Sequence, residues 1–169
     1  MELVSKESIA KVFSDLIETS LKSQRVEISP IAETYIVEVV SDLASSAHAL
    51  SPKSNVLLPD LLRRGLEANG PMRVEYLRVT GDLALFVSGI FPDSLEKRSN
   101  WFTLGDFIDM GQTAYGSLDA AVFYELAVKF PEMVDVLNLV SEKIHLLSTD
   151  LNRYFKRRKT ISSRLHKLS

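Results

Sequence analysis

Apolar residues recur at intervals of three and four along almost the whole chain, a spacing that places them on one face of an α-helix. The first segment of this kind begins near Ser5 and should end near Gln24. Residues that suit a β-strand occur only in fragments of about four residues, too short to form a sheet with its own core. The spacing therefore predicts an all-α protein.

Pro and Gly divide the pattern into separate helices. Ser29-Pro30 is typical of a helix N-terminus, because Ser can cap the helix and Pro fits its first turn. That second helix should end near Ala47, and residues 50–55 should form a loop. We expect Pro59 to open a short third helix, which Gly70-Pro71 should end.

The second half of the chain continues in the same way. A fourth helix is predicted over residues 72–91, followed by a charged connection over residues 95–100. A fifth helix or helix pair should cover residues 104–129, and Phe130-Pro131 should begin the last helix. A chain of 169 residues with 46% hydrophobic and 25% charged residues is typical of one globular domain. We therefore predict a single-domain bundle of about six helices over residues 1–155, with a basic C-terminal extension over residues 156–169.

The fourth predicted helix has apolar side chains almost all the way round, so it should lie buried at the centre of the bundle. Small residues at positions 81, 84 and 88 share one edge of this helix. Gly111 and Ala114 form a shallow groove on the apolar face of the next helix. An interior Gly costs about 1 kcal/mol relative to Ala, and a close helix contact is the usual reason for one. We expect the two small-residue edges to pack together.

Three ionisable residues interrupt the apolar surface of this helix. Glu75, Arg78 and Asp82 are spaced three and four residues apart, so their side chains can touch. One hypothesis is a ligand-binding pocket in which Arg78 contacts the ligand and the carboxylates orient it. The other is an internal ion-pair network that fixes the helix packing. Tyr76 and Tyr115 could donate hydrogen bonds in either arrangement.

The sequence around these residues resembles that of a known group. Residues 76–92 (YLRVTGDLALFVSGIFP) and 110–116 (MGQTAYG) are similar to a group of uncharacterised bacterial all-helical proteins with no assigned function. The resemblance implies a helical fold. It implies no activity, and it assigns a role to no residue of this chain.

Catalytic and metal-binding motifs are absent from the sequence. The chain contains no Cys, which excludes disulfides, thiolate zinc sites and cysteine nucleophiles. Glu142 and His145 have a metal-like spacing, but a di-metal site in a helical bundle needs a second such pair. Phosphate-binding glycine loops and nucleophile elbows are also missing. We therefore predict no catalytic residue, no metal and no cofactor.

The last predicted helix carries an apolar seam with alternating spacings of four and three residues. Its members are Met133, Leu137, Val140, Ile144, Leu147, Leu151 and Tyr154. Such a seam suits packing against another helix, including the same helix of a second copy. A helix from Pro131 to residue 169 would be about 58 Å long, which exceeds the roughly 30 to 40 Å diameter of a domain of this size. Its end should therefore project or turn back.

Charge is strongly separated along the chain. Residues 1–150 hold all 22 acidic and 13 basic residues, a net charge of −9, whereas residues 151–169 carry a charge of +7. The basic residues of this C-terminal segment are Arg153, Lys156, Arg157, Arg158, Lys159, Arg164 and Lys167. A basic amphipathic helix can bind an acidic protein surface, nucleic acid or an anionic membrane. Alternatively, these cations complement the helix dipole or fold back on the acidic body.

The function predicted from these features is that of a non-enzymatic helical interaction protein, with self-association through the last helix and binding of an acidic partner through its basic end. The alternative is a small-ligand sensor or enzyme with a pocket near Glu75, Arg78, Asp82 and Tyr115. Neither a signal peptide nor an apolar run long enough to cross a bilayer is present. We therefore expect a soluble cytoplasmic protein.

Overall fold

The all-α prediction is confirmed. A computed structural model describes residues 5–46, 54–94 and 102–167, and these residues contain no β-strand. Their helices are α1 (Lys6–Gln24), α2 (Pro30–Ser45), α3 (Ser54–Glu67), α4 (Gly70–Ile90), α5 (Leu104–Gly116), α6 (Ala121–Val128) and α7 (Phe130–Lys167). Residues 104–129 form a helix pair, α5 and α6, which is one of the two arrangements that the sequence predicts for them.

Side-chain caps fix the beginnings of three helices. Ser5 Oγ accepts a hydrogen bond from the Ser8 amide (3.1 Å), and Ser29 Oγ accepts one from the Ala32 amide (3.2 Å). At the start of α5, Thr103 and Asp106 form a reciprocal capping box. Each cap satisfies a backbone donor that the first turn of a helix leaves free. The predicted starts of α1, α2 and α5 are confirmed.

The prediction that Pro59 opens the third helix is wrong. Helix α3 begins at Ser54, and Pro59 lies inside it. Pro removes one intrahelical hydrogen bond, but extending the helix through Pro59 brings Leu58 into the core, where its side chain is almost fully buried. Burial of a Leu contributes about 1.5 to 3 kcal/mol, which offsets much of that cost. Of the predicted loop, residues 50–53 lie outside the described residues.

Gly70 and Pro71 act at the start of α4. Helix α3 ends at Glu67, and Gly70 is the first residue of α4, with a φ of 62°. This left-handed conformation favours Gly because it has no Cβ. Pro71 lies in the first turn, where its missing N–H has no partner to lose. The pair therefore begins α4 and does not directly end α3. The predicted connection over residues 95–100 lies outside the described residues.

Helix α4 is the central helix of the bundle and packs against α3, α5 and α7. Its burial is less complete than predicted, because Met72 and Val74 in its first turns are exposed, and from Thr80 to Ile90 every residue except the partly buried Leu83 is buried. The predicted contact between small residues is present. A Cβ atom at Gly81 would overlap the ring of Tyr115 on α5, and one at Gly111 would lie 3.0 Å from Ala84 Cβ.

Helix α7 is fastened to the end of α4. Asn138 Nδ2 donates to the carbonyl oxygens of Ser88 (3.0 Å) and Gly89 (2.7 Å), and Ser141 Oγ donates to that of Ile90 (2.6 Å). These bonds satisfy carbonyl groups that the last turn of α4 leaves without helical partners.

The apolar seam of α7 changes its surroundings along the helix. Met133, Leu137 and Val140 are buried in the core, Ile144 is partly buried and Leu147 is exposed. Helix α7 then continues without a break to Lys167. Its 38 residues correspond to about 57 Å at 1.5 Å per residue, so its C-terminal part extends beyond the packed body.

Candidate functional site

Asp82 is the centre of a closed polar cluster on α4. Its Oδ1 accepts hydrogen bonds from the hydroxyl groups of Tyr35 (2.7 Å) and Tyr115 (2.6 Å). Its Oδ2 accepts one from Arg78 Nη1 (3.0 Å). Arg78 Nη2 contacts both carboxylate oxygens of Glu75, at 2.9 and 3.0 Å. We call these five residues the Asp82 cluster.

The Asp82 cluster becomes more exposed from its centre to its edge. The side chain of Asp82 is 10% exposed, that of Arg78 is 38% exposed and that of Glu75 is 64% exposed. Burial raises the pKa of Asp82, although hydrogen bonds from Tyr115 and Tyr35 and the charge of Arg78 oppose this shift. Burial also raises the pKa values of Tyr115 and Tyr35, and the Asp82 charge adds to both shifts.

The two tyrosines connect Asp82 to neighbouring helices. Tyr35 lies on α2 and Tyr115 on α5, so one carboxylate bridges three helices. Both rings also pack on Phe123 of α6, with centroid distances of 5.3 and 5.5 Å. The sequence predicts a role for Tyr115 and for Tyr76 but not for Tyr35. The backbone carbonyl of Tyr76 accepts a hydrogen bond from Thr80. The signal in the sequence that points to Tyr35 is its position on the apolar face of α2, because a tyrosine hydroxyl that is buried there needs a hydrogen-bond partner.

The geometry of the Asp82 cluster is that of an internal ion-pair and hydrogen-bond network. The two terminal nitrogens of Arg78 donate hydrogen bonds to Asp82 and Glu75. Both carboxylate oxygens of Asp82 accept hydrogen bonds from side chains of the protein. In the described part of the chain, no buried side-chain nitrogen or oxygen lacks a partner. A ligand here would have to displace bonds already made. Of the two hypotheses for Glu75, Arg78 and Asp82, the internal network is the one that agrees with these contacts.

The basic C-terminal part of α7 presents a different arrangement. Arg153 and Lys156 are exposed. The side chains of the other predicted partner-binding residues, Arg157, Arg158, Lys159, Arg164 and Lys167, lie outside the described part of the structure. Just before this segment, Leu146 and Leu147 are 63% and 53% exposed. The Asp82 cluster and the basic segment are therefore separate features.

An open apolar groove of about 860 Å³ lies beside α7 where this helix leaves the body. Phe86 and Phe91 from α4 and its C-terminal end line one side, and Leu104 from α5 contributes another part of the wall. Ile144 and Glu142 line the groove from α7. The Asp82 cluster contributes no residue to it. No local pattern in the sequence predicts this groove, because its lining comes from five helices.

Three further findings bear on function. Within residues 5–46, 54–94 and 102–167, no group of His, Asp or Glu side chains could hold a metal ion. None of the helices in these ranges is long and apolar enough to cross a membrane. Comparisons with protein-family models, with curated proteins and with solved structures found no match. The resemblance to bacterial helical proteins stays a prediction.

Proposed function

We propose that this chain is a non-enzymatic helical interaction protein and that the C-terminal part of α7, residues 146–167, binds an acidic protein partner. The observation that supports this proposal is the unbroken course of α7 to Lys167, beyond the part of the helix that is buried in the body. A helix that leaves its own core offers surface to another molecule. The absence of Cys is compatible with a reducing compartment, and we propose a cytoplasmic location.

The charge of this part of α7 argues for an acidic partner. Residues 151–169 contain seven basic residues and no Asp or Glu, so no carboxylate within the segment can neutralise them. A patch of one sign attracts a surface of the opposite sign and speeds the encounter. Arg153 is exposed, so such a surface can reach its guanidinium group.

Leu146 and Leu147 argue for a protein rather than nucleic acid or a membrane. Both are more than half exposed and lie directly before the basic segment on the same helix. Apolar residues at the centre with charged residues at the edge are characteristic of protein interfaces. Nucleic acid binding would rest mainly on phosphate contacts and would make little use of these leucines.

The test measures binding of fluorescent poly-L-glutamate to the full chain at several salt concentrations. We expect the affinity to fall at least about tenfold between about 50 and 200 mM salt, because screening and counterion release weaken contacts between exposed charges. The variant Arg153→Gln/Lys156→Gln/Lys159→Gln should lose most of this binding. The double variant Leu146→Ser/Leu147→Ser should weaken binding of an acidic amphipathic peptide but leave poly-L-glutamate binding unchanged.

The matched control removes the same number of charges from α1. Lys6→Gln/Lys11→Gln/Lys22→Gln changes three exposed cations, so it has the same net charge as the α7 variant. It should bind poly-L-glutamate like the unmodified chain. Equal losses in the two variants would show that net charge alone is responsible and would overturn the proposal. Tighter salt-dependent binding of duplex DNA or phosphatidylserine vesicles than of the acidic peptide would overturn the choice of a protein partner.

A further inference from the structure

The groove beside α7 reaches the hydrophobic core. Its described lining comes from α1, α2, α4, α5 and α7, together with residues 91–94. Three side chains of this lining, Phe13, Phe86 and Ile90, belong to the core and are at most 9% exposed. The groove is therefore a recess between helices. Its volume of about 860 Å³ falls in the roughly 300 to 1,000 Å³ range of sites for small molecules.

Apolar side chains form most of this recess, and aromatic rings are prominent among them. The rings of Phe86 and Phe91 meet edge to face, with centroids 5.5 Å apart. Phe91 is 46% exposed, so a ligand in the groove can remove its ring from water, which is favourable. The other apolar residues of the lining are Phe13, Ala44, Ile90, Pro92, Leu104 and Ile144. The recess therefore suits a ligand with an aromatic or branched apolar body.

The edge of the groove carries unpaired negative charge. Asp93 lies directly after α4 and Glu142 lies on α7, and both residues are exposed. In the described part of the structure, neither carboxylate has a hydrogen-bond or ion-pair partner. The rest of the described lining holds one ionisable residue, His145, and no Lys or Arg. Two carboxylates at this edge are therefore available to a cation.

The end of α4 adds to this negative potential. Helix α4 ends at Ile90, in the lining of the groove, and the C-terminal end of a helix carries a partial negative charge. The last turn of α4 contains no basic residue. Asn138 and Ser141 donate hydrogen bonds to carbonyl groups at this end, but both side chains are uncharged. The electrostatics of the groove therefore favour a cationic ligand over a neutral or an anionic one.

We propose that this groove binds a small amphipathic amine, with the apolar body of the ligand against Phe86 and Phe91 and its protonated amino group at the edge that carries Asp93 and Glu142. An ammonium group donates three hydrogen bonds and accepts none, which suits two free carboxylates. The site goes beyond the proposed function. Residues 146–167 contribute nothing to its described lining, so the groove and the basic segment can be tested independently.

The experiment compares three probes that share one apolar body and differ in charge: phenylbutylamine, phenylbutanol and phenylbutyrate. Their dissociation constants for the full chain are measured by chemical-shift titration at about pH 8, where an alkylamine is protonated. We expect phenylbutylamine to bind at least about fivefold more tightly than phenylbutanol, and phenylbutyrate to bind most weakly. The advantage of the amine over the alcohol should shrink as salt is added, because both carboxylates are exposed and therefore screened.

Two variants separate the edge of the groove from its apolar walls. Asp93→Asn/Glu142→Gln should remove the advantage of the amine but leave the dissociation constant of phenylbutanol unchanged. The matched control, Asp119→Asn/Asp135→Asn, neutralises two exposed carboxylates outside the groove and should keep that advantage. Ala44→Leu adds bulk to the lining and should weaken all three probes. Circular dichroism checks that every variant is folded.

Three results would overturn the inference. The first is the absence of saturable binding of phenylbutylamine up to about 10 mM. The second is binding of phenylbutyrate as tight as that of the amine. The third is an equal response of the Asp93→Asn/Glu142→Gln variant and its control, which would assign the effect to net charge alone. Poly-L-glutamate binding in the presence of saturating phenylbutylamine tests the proposed function separately, because the basic segment is free in that sample.

Discussion

The Asp82 cluster on α4 and the basic segment of α7 use the same helical spacing to opposite effect. Glu75, Arg78 and Asp82 lie three and four residues apart, as do several basic residues of α7. On α4 the charges alternate in sign, so the side chains bond to one another. On α7 all charges in residues 151–167 have one sign, and the acidic residues lie elsewhere in the chain. Spacing brings charged groups together, and their signs decide whether a surface is closed or open to a partner.

Burial separates the two regions further. Asp82 is almost fully covered and receives three hydrogen bonds from three different helices. Arg153 and Lys156 are exposed. Changes in the first region should therefore alter stability, and changes in the second should alter binding with little effect on stability.

The largest expected effect comes from Asp82→Ala. This change leaves two buried hydroxyl groups and one guanidinium without their acceptor, and loss of one member of a buried charged network costs about 3 to 5 kcal/mol. The free energy of unfolding, measured with urea, should fall by about that amount. Asp60→Ala is the matched control, because Asp60 on α3 also pairs with Arg residues three and four positions later but its side chain is 37% exposed, against 10% for Asp82. If the control lost as much stability, the contrast between buried and exposed pairs would be refuted.

A second, smaller effect should appear at alkaline pH. The pKa values of Tyr115 and Tyr35 are raised above 10.0 in the folded protein, mainly by burial, so the folded chain keeps protons that the unfolded chain releases. The stability due to these groups is fully present below about pH 10 and is lost as the pH rises further. Well above pH 10 the slope should approach about 1.4 kcal/mol per pH unit for each tyrosine, because each keeps one proton that the unfolded chain has released.

Urea unfolding between about pH 9 and pH 11 measures this slope. Tyr115→Phe is the comparison, because it removes the titrating hydroxyl but keeps the ring against Gly81. The variant should be less stable at pH 7 but should lose less additional stability per pH unit at alkaline pH. Parallel curves for the two proteins would contradict the assignment of the alkaline loss to the Asp82 cluster.

The smallest effect is expected from deletion of residues 156–169. The deletion leaves the buried residues of α7 from Met133 to Val140 in place, so the free energy of unfolding of the monomer should change by less than about 0.5 kcal/mol. A loss of several kcal/mol would mean that the segment packs on its own body, and the contrast between the two regions would fail.

Much of the fold could be predicted from the sequence because local signals were consistent with one another. Apolar spacing located the helices, and Ser5, Ser29 and Thr103 marked three of their starts. The failure at Pro59 has a physical cause. The cost of an interior Pro is local and readable, whereas the gain from burying Leu58 depends on neighbours that the sequence does not specify.

The candidate sites were predictable in part for the same reason. Contacts within α4 follow from helical spacing, so the approach of Glu75, Arg78 and Asp82 was foreseen. Tyr35 reaches Asp82 across 47 positions of the chain, and Asn138 reaches Ser88 across 50, so no local pattern reveals either contact. The exposure of Leu147 is likewise not predictable from any local pattern in the sequence. Its place in the seam is the same as that of the buried Val140, seven residues earlier, and only the extent of the body distinguishes them.

The hydrogen bonds that fasten α7 to the end of α4 give the long helix a mechanical role. Ser141 lies 26 residues before Lys167, so a stiff helix of this length is a lever arm of about 39 Å. A sideways displacement of about 3 Å at its tip tilts the helix by about 5° about Asn138 and Ser141. The carbonyl groups that receive these bonds lie six to eight residues after Asp82 on α4. A force on the free end is thus transmitted to the most tightly bonded part of the core.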